Sequence, residues 1–221
     1  MNHQITRLIG LLVCLMFVGT SHAVPITYTD STAFFSDLSS AGLTPSTLNF
    51  DSLSAGDTIA SGATKGGITF TYDFGGVQMM VSDIYDTTSA PNFLGTDDGD
   101  VLQDGDYFDL AFAPSHAIGM FFITADPMFD GDITLTAGGT AAKLSVADAG
   151  ADVGDGGIPY FLGIIDDASA FTGASITTIG GGYFLYNVDD ITTATASVPE
   201  PGTLLLFTAG LAGLLTLRRR S

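Results

Sequence analysis

Gly67-Ile68-Thr69-Phe70-Thr71-Tyr72-Asp73 alternates apolar and polar side chains at every step, with Ile68, Phe70 and Tyr72 on one side and Thr69, Thr71 and Asp73 on the other. A period of two is the pattern of a strand that buries one face. The same pattern returns at Phe108, Leu110 and Phe112, and again at Ile133 and Leu135. Further strands are predicted at 47–50, 77–82, 117–124, 142–146, 160–165, 175–179 and 183–188. Ile118 to Ile123 is apolar on both faces, which suits a central strand. Turn signals punctuate these runs, among them Gly66-Gly67, Gly75-Gly76, Asp104-Gly105 and Asp155-Gly156-Gly157. About ten short strands spaced in this way predict an all-β fold, an antiparallel β-sandwich of jelly-roll-like type. One short helix is expected near the start. Asp30 or Ser31 would cap it, Ala33, Phe34, Phe35 and Leu38 would form its apolar face, and Gly42 would end it.

Composition agrees with that architecture. Between the two ends of the chain lie 23 aspartates and no glutamate, with Lys65 and Lys143 as the only strong bases, a formal charge of −21. Asp and Gly favour turns, whereas Glu favours helices. Such a negative field excludes nucleic acid and anionic membrane surfaces as partners and favours cations. The only cysteine is Cys14, so disulfides and thiolate chemistry are excluded from the body.

The two ends read as sorting segments. Arg7, the apolar stretch Leu8 to Val18 and the small residues of Ser21-His22-Ala23 make residues 1–23 a secretory signal peptide, cut by signal peptidase after Ala23. Residues 24–191 form the β-sandwich domain and 192–197 a small-residue spacer. Residues 198–221 form a C-terminal signal. Pro199-Glu200-Pro201 opens it, an apolar segment over 203–217 spans the membrane, and Arg218, Arg219 and Arg220 close it. The arginines set the orientation, with the C-terminus in the cytoplasm and the body outside.

This order of parts resembles the C-terminal signal of PEP-CTERM proteins, which exosortase enzymes process in bacteria that export polysaccharide. The body is similar to one recurring type of PEP-CTERM exported domain, through Phe50-Asp51, Gly67 to Phe70, Tyr160 to Gly163 and the closing Val188-Asp189-Asp190-Ile191. The resemblance implies cleavage by exosortase near Pro199 to Pro201, with Glu200 and its flanking prolines as recognition elements. It implies a protein held transiently in the inner membrane and finally placed at the cell surface, in the extracellular matrix or in the medium. Extracellular polysaccharide is the partner such a setting suggests.

The residues of the body suit three kinds of chemistry to different degrees. Ca²⁺ takes six to eight oxygens, commonly from Asp and backbone carbonyls. Asp97, Asp98, Asp100, Asp104 and Asp106 crowd one Gly-containing stretch, and Asp126, Asp130 and Asp132 form a second group. Asp51, Asp189 and Asp190 would meet if the first and last strands are neighbours. The same residues equally suit solvated turns, and no loop has EF-hand spacing. A glycan-binding face would use Tyr72, Tyr85, Tyr107, Tyr160, Tyr183, Tyr186 and Asn187. A hydrolase would need a carboxylate in an apolar pocket, and no aspartate stands out as buried. His116 is the only histidine outside the signal peptide, and no Gly-x-Ser-x-Gly elbow accompanies it. The expectation is a non-enzymatic exported surface or matrix protein, stabilised by calcium if the aspartates converge. A glycan-binding module is the first alternative and a secreted hydrolase the second.

Overall fold

The computed structural model describes residues 24–196. The elements begin with β1 (Ile26–Tyr28), α1 (Ser31–Ser40), β2 (Leu43–Leu48), β3 (Thr58–Ile59), β4 (Thr64–Lys65), β5 (Ile68–Tyr72), β6 (Met79–Ser82) and β7 (Phe93–Thr96). They continue with β8 (Leu102–Gln103), β9 (Phe108–Ser115), β10 (Ala117–Thr124), β11 (Ile133–Ala137), β12 (Thr140–Lys143), β13 (Ile158–Ile165), β14 (Phe171–Thr178) and β15 (Leu185–Ala196). They form two antiparallel sheets. The larger runs β1-β13-β10-β15-β7-β6-β3, with β2 and β8 also paired to β15, and the smaller runs β12-β11-β14-β9-β5-β4.

The alternation explains how the sheets face each other. Ile68 and Phe70 of β5, Phe108 and Leu110 of β9 and Ile176 of β14 point inward from the smaller sheet. They meet Met120 and Phe122 of β10, Leu162 of β13 and Tyr186 and Val188 of β15 from the larger one. The expected central strand is β10, buried along nearly its whole length between β13 and β15.

A second, smaller core lies on the outer face of the larger sheet. Asp30 caps α1, its carboxylate accepting from the backbone N–H groups of Thr32 (2.7 Å) and Ala33 (3.1 Å), and Gly42 follows the helix at φ +67°. The helix buries Phe34 and Leu38 against Phe161, Ile165 and Ala194. Full burial of one such side chain stabilises by roughly 1.5–3 kcal/mol. The Tyr28 hydroxyl donates to Asp37 of the helix at 2.8 Å, and burial together with that carboxylate pushes the phenol up to about 12.

Phe34 fits because two glycines are paired beneath it. Gly119 of β10 lies opposite Gly163 of β13. A Cβ at Gly119 would come within 2.6 Å of the Phe161 ring, and one at Gly163 within 2.7 Å of the Phe34 ring.

The expected spacer over 192–197 is corrected. Thr192 to Ala196 continue β15, held between Leu43–Thr47 of β2 and, as far as Ala194, Ala117–Gly119 of β10. Small Thr and Ala side chains suit a strand flanked on both edges, and Thr192 is fully buried, with its hydroxyl 2.7 Å from that of Thr47. The strand expected at 47–50 lies earlier, at Leu43–Leu48, and Phe50 turns the chain at φ 60°. The strand expected at 142–146 ends at Lys143, and Val146 to Asp148 form a 3₁₀ turn. The expected signal peptide over 1–23 and the expected sorting segment from 197 onward lie outside the described residues. Among the described residues no helix is long and apolar enough to cross a membrane.

Gly163→Ala and Gly119→Ala are each expected to lower unfolding free energy by about 1–3 kcal/mol, the usual cost of overpacking. Urea titration checks this. Phe34→Leu in the Gly163→Ala background should recover part of the loss, because it shortens the group that the new methyl meets.

Candidate functional site

The outer face of the larger sheet carries the most deeply buried carboxylate among the described residues, Asp189. At Asp190 the strand β15 bulges. Between the pairs Gly119↔Thr192 and Phe121↔Asp189, β10 advances two residues while β15 advances three, and Asp190 takes φ 53°. The bulge sets Asp189 beneath the loop that joins β6 to β7. Its Oδ2 accepts from Thr87 Oγ1 (2.7 Å), Ser89 N (2.9 Å) and Ser89 Oγ (2.9 Å). Thr88 Oγ1 is shared between Asp189 Oδ2 (3.1 Å) and Asp190 Oδ2 (2.9 Å). Oδ1 of Asp189 accepts from the N–H of Asp190 at 2.7 Å.

Asp189 is fully buried, so the expectation that no aspartate is buried is corrected. Burial, with the charge of Asp190 added, pushes its carboxyl from the ordinary 3.8 up to about 7, although Thr87 and Ser89 pull it down. It does not fit a hydrolase acid, because the hydroxyls of the loop cover it. The last strand, β15, runs beside β2, Leu48 pairing with Ile191, whereas β1 pairs with β13. Asp51 meets the far end of the same loop: its Oδ1 accepts from Asn92 N at 3.2 Å, while Asn92 Nδ2 donates to the Leu53 carbonyl at 2.9 Å. Asp189 therefore ties the loop down at its middle and Asp51 at its far end.

The other acidic stretch is arranged differently from a cation cage. Asp97 accepts from Gln78 N, Asp98 from Thr96 Oγ1, and Asp100 from Ser82 Oγ. Asp104 accepts from Gly180 N at 2.7 Å and Asp106 from Gln103 N at 2.9 Å. Asp106 is raised above its ordinary value, chiefly by burial and secondarily by Asp98. In the second group Asp132 accepts from Phe129 N, Asp130 from Val146 N and Asp126 from Leu185 N. Asp98, Asp106 and Asp132 close local turns, whereas Asp97, Asp100, Asp104, Asp126 and Asp130 bind groups 16 to 76 residues away in sequence. Among the described residues no three of His, Cys, Asp and Glu converge as a metal-holding group.

The tyrosines divide into structural and free. Tyr72 donates to the Ile59 carbonyl and accepts from Met79 N. Tyr160 is buried, and Tyr186 is buried with its hydroxyl on the Asp106 carbonyl. Tyr85, Tyr107 and Tyr183 are exposed. His116 is half-buried, with Nδ1 2.8 Å from the Asp166 carbonyl.

Beside the Asp189 clamp lies a cavity of about 210 Å³. Asn187 and Ile123, paired across β15 and β10, lie in its lining. Tyr85 and Asp86 border it from the clamped loop, and Asp155 and Gly157 from the loop before β13. Asp86 N donates to Asp155 Oδ2 at 2.9 Å, which joins the two loops. Asn187 is 3% exposed, and its Oδ1 has no hydrogen-bond partner. The residue types at Tyr85, Tyr186 and Asn187 were legible as candidates, but their convergence was not. Asp86 and Asp155 were missed, since nothing local separates them from the other aspartates.

Comparison with known proteins places the chain at one end. The PEP-CTERM protein-sorting motif matches residues 197–220. The chain carries a PEP-CTERM sorting signal, consistent with an exosortase substrate, and the signal implies an exported protein sorted to the cell surface. No curated protein matches the sequence. Among solved structures, the K2 cleaved adhesin domain of Lys-gingipain is similar at 12% identity and a TM-score of 0.44, over 68% of this chain and 97% of that one. That likeness is too distant to carry an argument.

Two measurements follow. For a carboxyl raised in the folded state, the stabilising contribution is present below the unfolded value, near pH 4, and is lost as pH rises through about 7. Asp189→Asn is therefore expected to flatten the fall in unfolding free energy between those limits relative to wild type, and parallel profiles would refute it. In thermal unfolding, calcium and magnesium are expected to raise Tm equally by screening the acidic surface. A calcium-specific rise would instead mean that Asp97 to Asp106 rearrange around the ion.

Proposed function

We propose that this chain is a non-enzymatic surface or extracellular-matrix protein, exported by signal peptide and released from the inner membrane by exosortase. The observation that carries this reading is the sorting motif at 197–220, which begins immediately after the last residue of β15. The signal peptide at 1–23 and the Arg218 to Arg220 tail support the same route. The body supplies a displayed sandwich rather than a reaction centre: Asp189 is closed over by loop hydroxyls, and His116 is engaged by a backbone carbonyl.

A glycan-binding role is the second reading, favoured by the exposed rings of Tyr85, Tyr107 and Tyr183. Retention on immobilised exopolysaccharide from a host with exosortase distinguishes it from a purely structural role.

Replacing Glu200 with Ala, together with Arg218 to Arg220, is expected to leave the full-length chain uncut in the membrane fraction of such a host. Immunoblotting for chain length and location checks this, and normal processing of the variant would sink the sorting reading.

A further inference from the structure

The chain holds four Asp-Gly pairs, Asp98-Gly99, Asp104-Gly105, Asp130-Gly131 and Asp155-Gly156. Such a pair carries a reaction of its own. The glycine nitrogen lies next to the aspartate carboxyl, and the missing Cβ leaves its approach open. Two groups must be free: a carboxyl that can turn toward the backbone, and an N–H that is not already donating. A hydrogen bond to either holds the reaction back, because it must break first.

Three of the four pairs are held at both groups. Gly105 N donates to Thr178 Oγ1 at 2.6 Å, while the Asp104 carboxylate, 4% exposed, accepts from Gly180 N. Gly131 N donates to the Leu144 carbonyl at 2.8 Å, and Asp130 accepts from Val146 N at 2.8 Å. Gly156 N donates to Asp152 Oδ1 at 3.0 Å, and Asp155 accepts on both oxygens, from Asp86 N and Gly157 N. Asp98-Gly99 differs. Both residues are exposed. Among the described residues Gly99 N donates to no acceptor, and no backbone N–H holds the Asp98 carboxylate. Its one bond, from Thr96 Oγ1 at 2.8 Å, occupies Oδ1 alone.

We propose that Asp98-Gly99 is a site of spontaneous backbone isomerisation, at which aspartate converts to isoaspartate. The Gly99 nitrogen bonds to Asp98 Cγ. Its hydrogen and the carboxyl hydroxyl leave together as one water, and a succinimide ring closes. A second water then opens the ring. Breaking the bond from nitrogen to Cγ restores aspartate. Breaking the bond from nitrogen to the main-chain carbonyl leaves isoaspartate, with the chain running through Cβ and Cγ. The charge is unchanged, but the backbone gains one carbon. The turn has no room for it. Asp100 N donates to the Thr96 carbonyl across the pair at 3.0 Å, and Ser82 Oγ of β6 donates to Asp100 at 2.9 Å. A Cβ at Gly95 would fall on the Asp100 carbonyl, so the backbones already touch. Isomerisation therefore loosens this turn from β6, and the exported chain ages here first.

The test is ageing of the full-length, detergent-solubilised protein in mildly acidic buffer made with heavy-oxygen water, once folded and once in concentrated urea. Peptide mapping with electron-transfer fragmentation locates isoaspartate and the incorporated oxygen. In the folded chain the product is expected at Asp98 and not at Asp104, Asp130 or Asp155. In urea all four pairs should react, because only the fold separates them. Gly99→Ala is expected to remove most of the product without lowering the Tm of fresh protein. Its new Cβ meets no atom within 4 Å, and Gly99 has no positive φ. Asp98→Glu, which must close a larger ring, should remove the product as well. Aged wild type should lose Tm in step with its isoaspartate content, whereas aged Gly99→Ala should not. Absence of isoaspartate at Asp98 in the folded chain overturns the proposal. So does an equal yield at any of the other three pairs, or a yield unchanged in Gly99→Ala.

Discussion

A buried carboxylate satisfied by hydroxyls and amides holds the outer face of the larger sheet together. Among the described residues Asp189 has no basic partner; its bonds go to Thr87, Thr88, Ser89 and the next residue in the chain. A desolvated charge is costly unless its oxygens are hydrogen-bonded, and here the loop provides those bonds at the expense of its own freedom. The sequence separation is about a hundred residues, so closing that contact orders a long stretch of chain. The bulge at Asp190 is what aims Asp189 at the loop rather than along the sheet. Cavity, clamp and bulge are thus one construction on β15, and the wall of the cavity inherits its position from the clamp.

β15 also carries the architecture. It pairs with β10 on one side, with β2, β7 and β8 along the other, and its last residues lie in the same sheet as α1's core. The sorting motif begins one residue beyond it. A sorting segment attached to a central strand transmits any pull into the middle of the sheet rather than to a frayed end. The domain stands close to whatever holds the motif, since two residues separate Ala196 from Pro199, roughly 10 Å when extended.

Much of this was readable from the residues, for definite reasons. The helix was legible because Asp30, Phe34, Leu38 and Gly42 each mark a different physical feature of a helix, and they agree. The half-buried strands β5, β9 and β11 were legible because one face meets water. The start of β2 was not, since Thr44 to Thr47 are largely exposed and Pro45 reads as a turn. Pro is tolerated there because β2 pairs with β15 alone. Phe93 to Thr96 was missed because it is short and buried throughout. Thr192 to Ala196 reads as a spacer because small polar residues look solvent-facing, and only the strands on either side bury them. Asp189 was indistinguishable from the other aspartates, because its burial comes from a loop far away in sequence.

The acidity of the chain follows a division of labour among its aspartates. Several cap the helix or close turns by accepting local backbone N–H bonds, as Asp30, Asp132 and Asp152 do, and this is work that Glu does poorly at the same positions. A fold built from many tight turns and little helix thereby accumulates negative charge without selecting for it. The field that results is nonetheless real, and with Lys65 and Lys143 as the only bases in the body it goes largely uncompensated within the domain. Local turn chemistry therefore sets a global electrostatic character, and that character in turn selects which molecules approach the surface. Cations concentrate there, and anions are turned away.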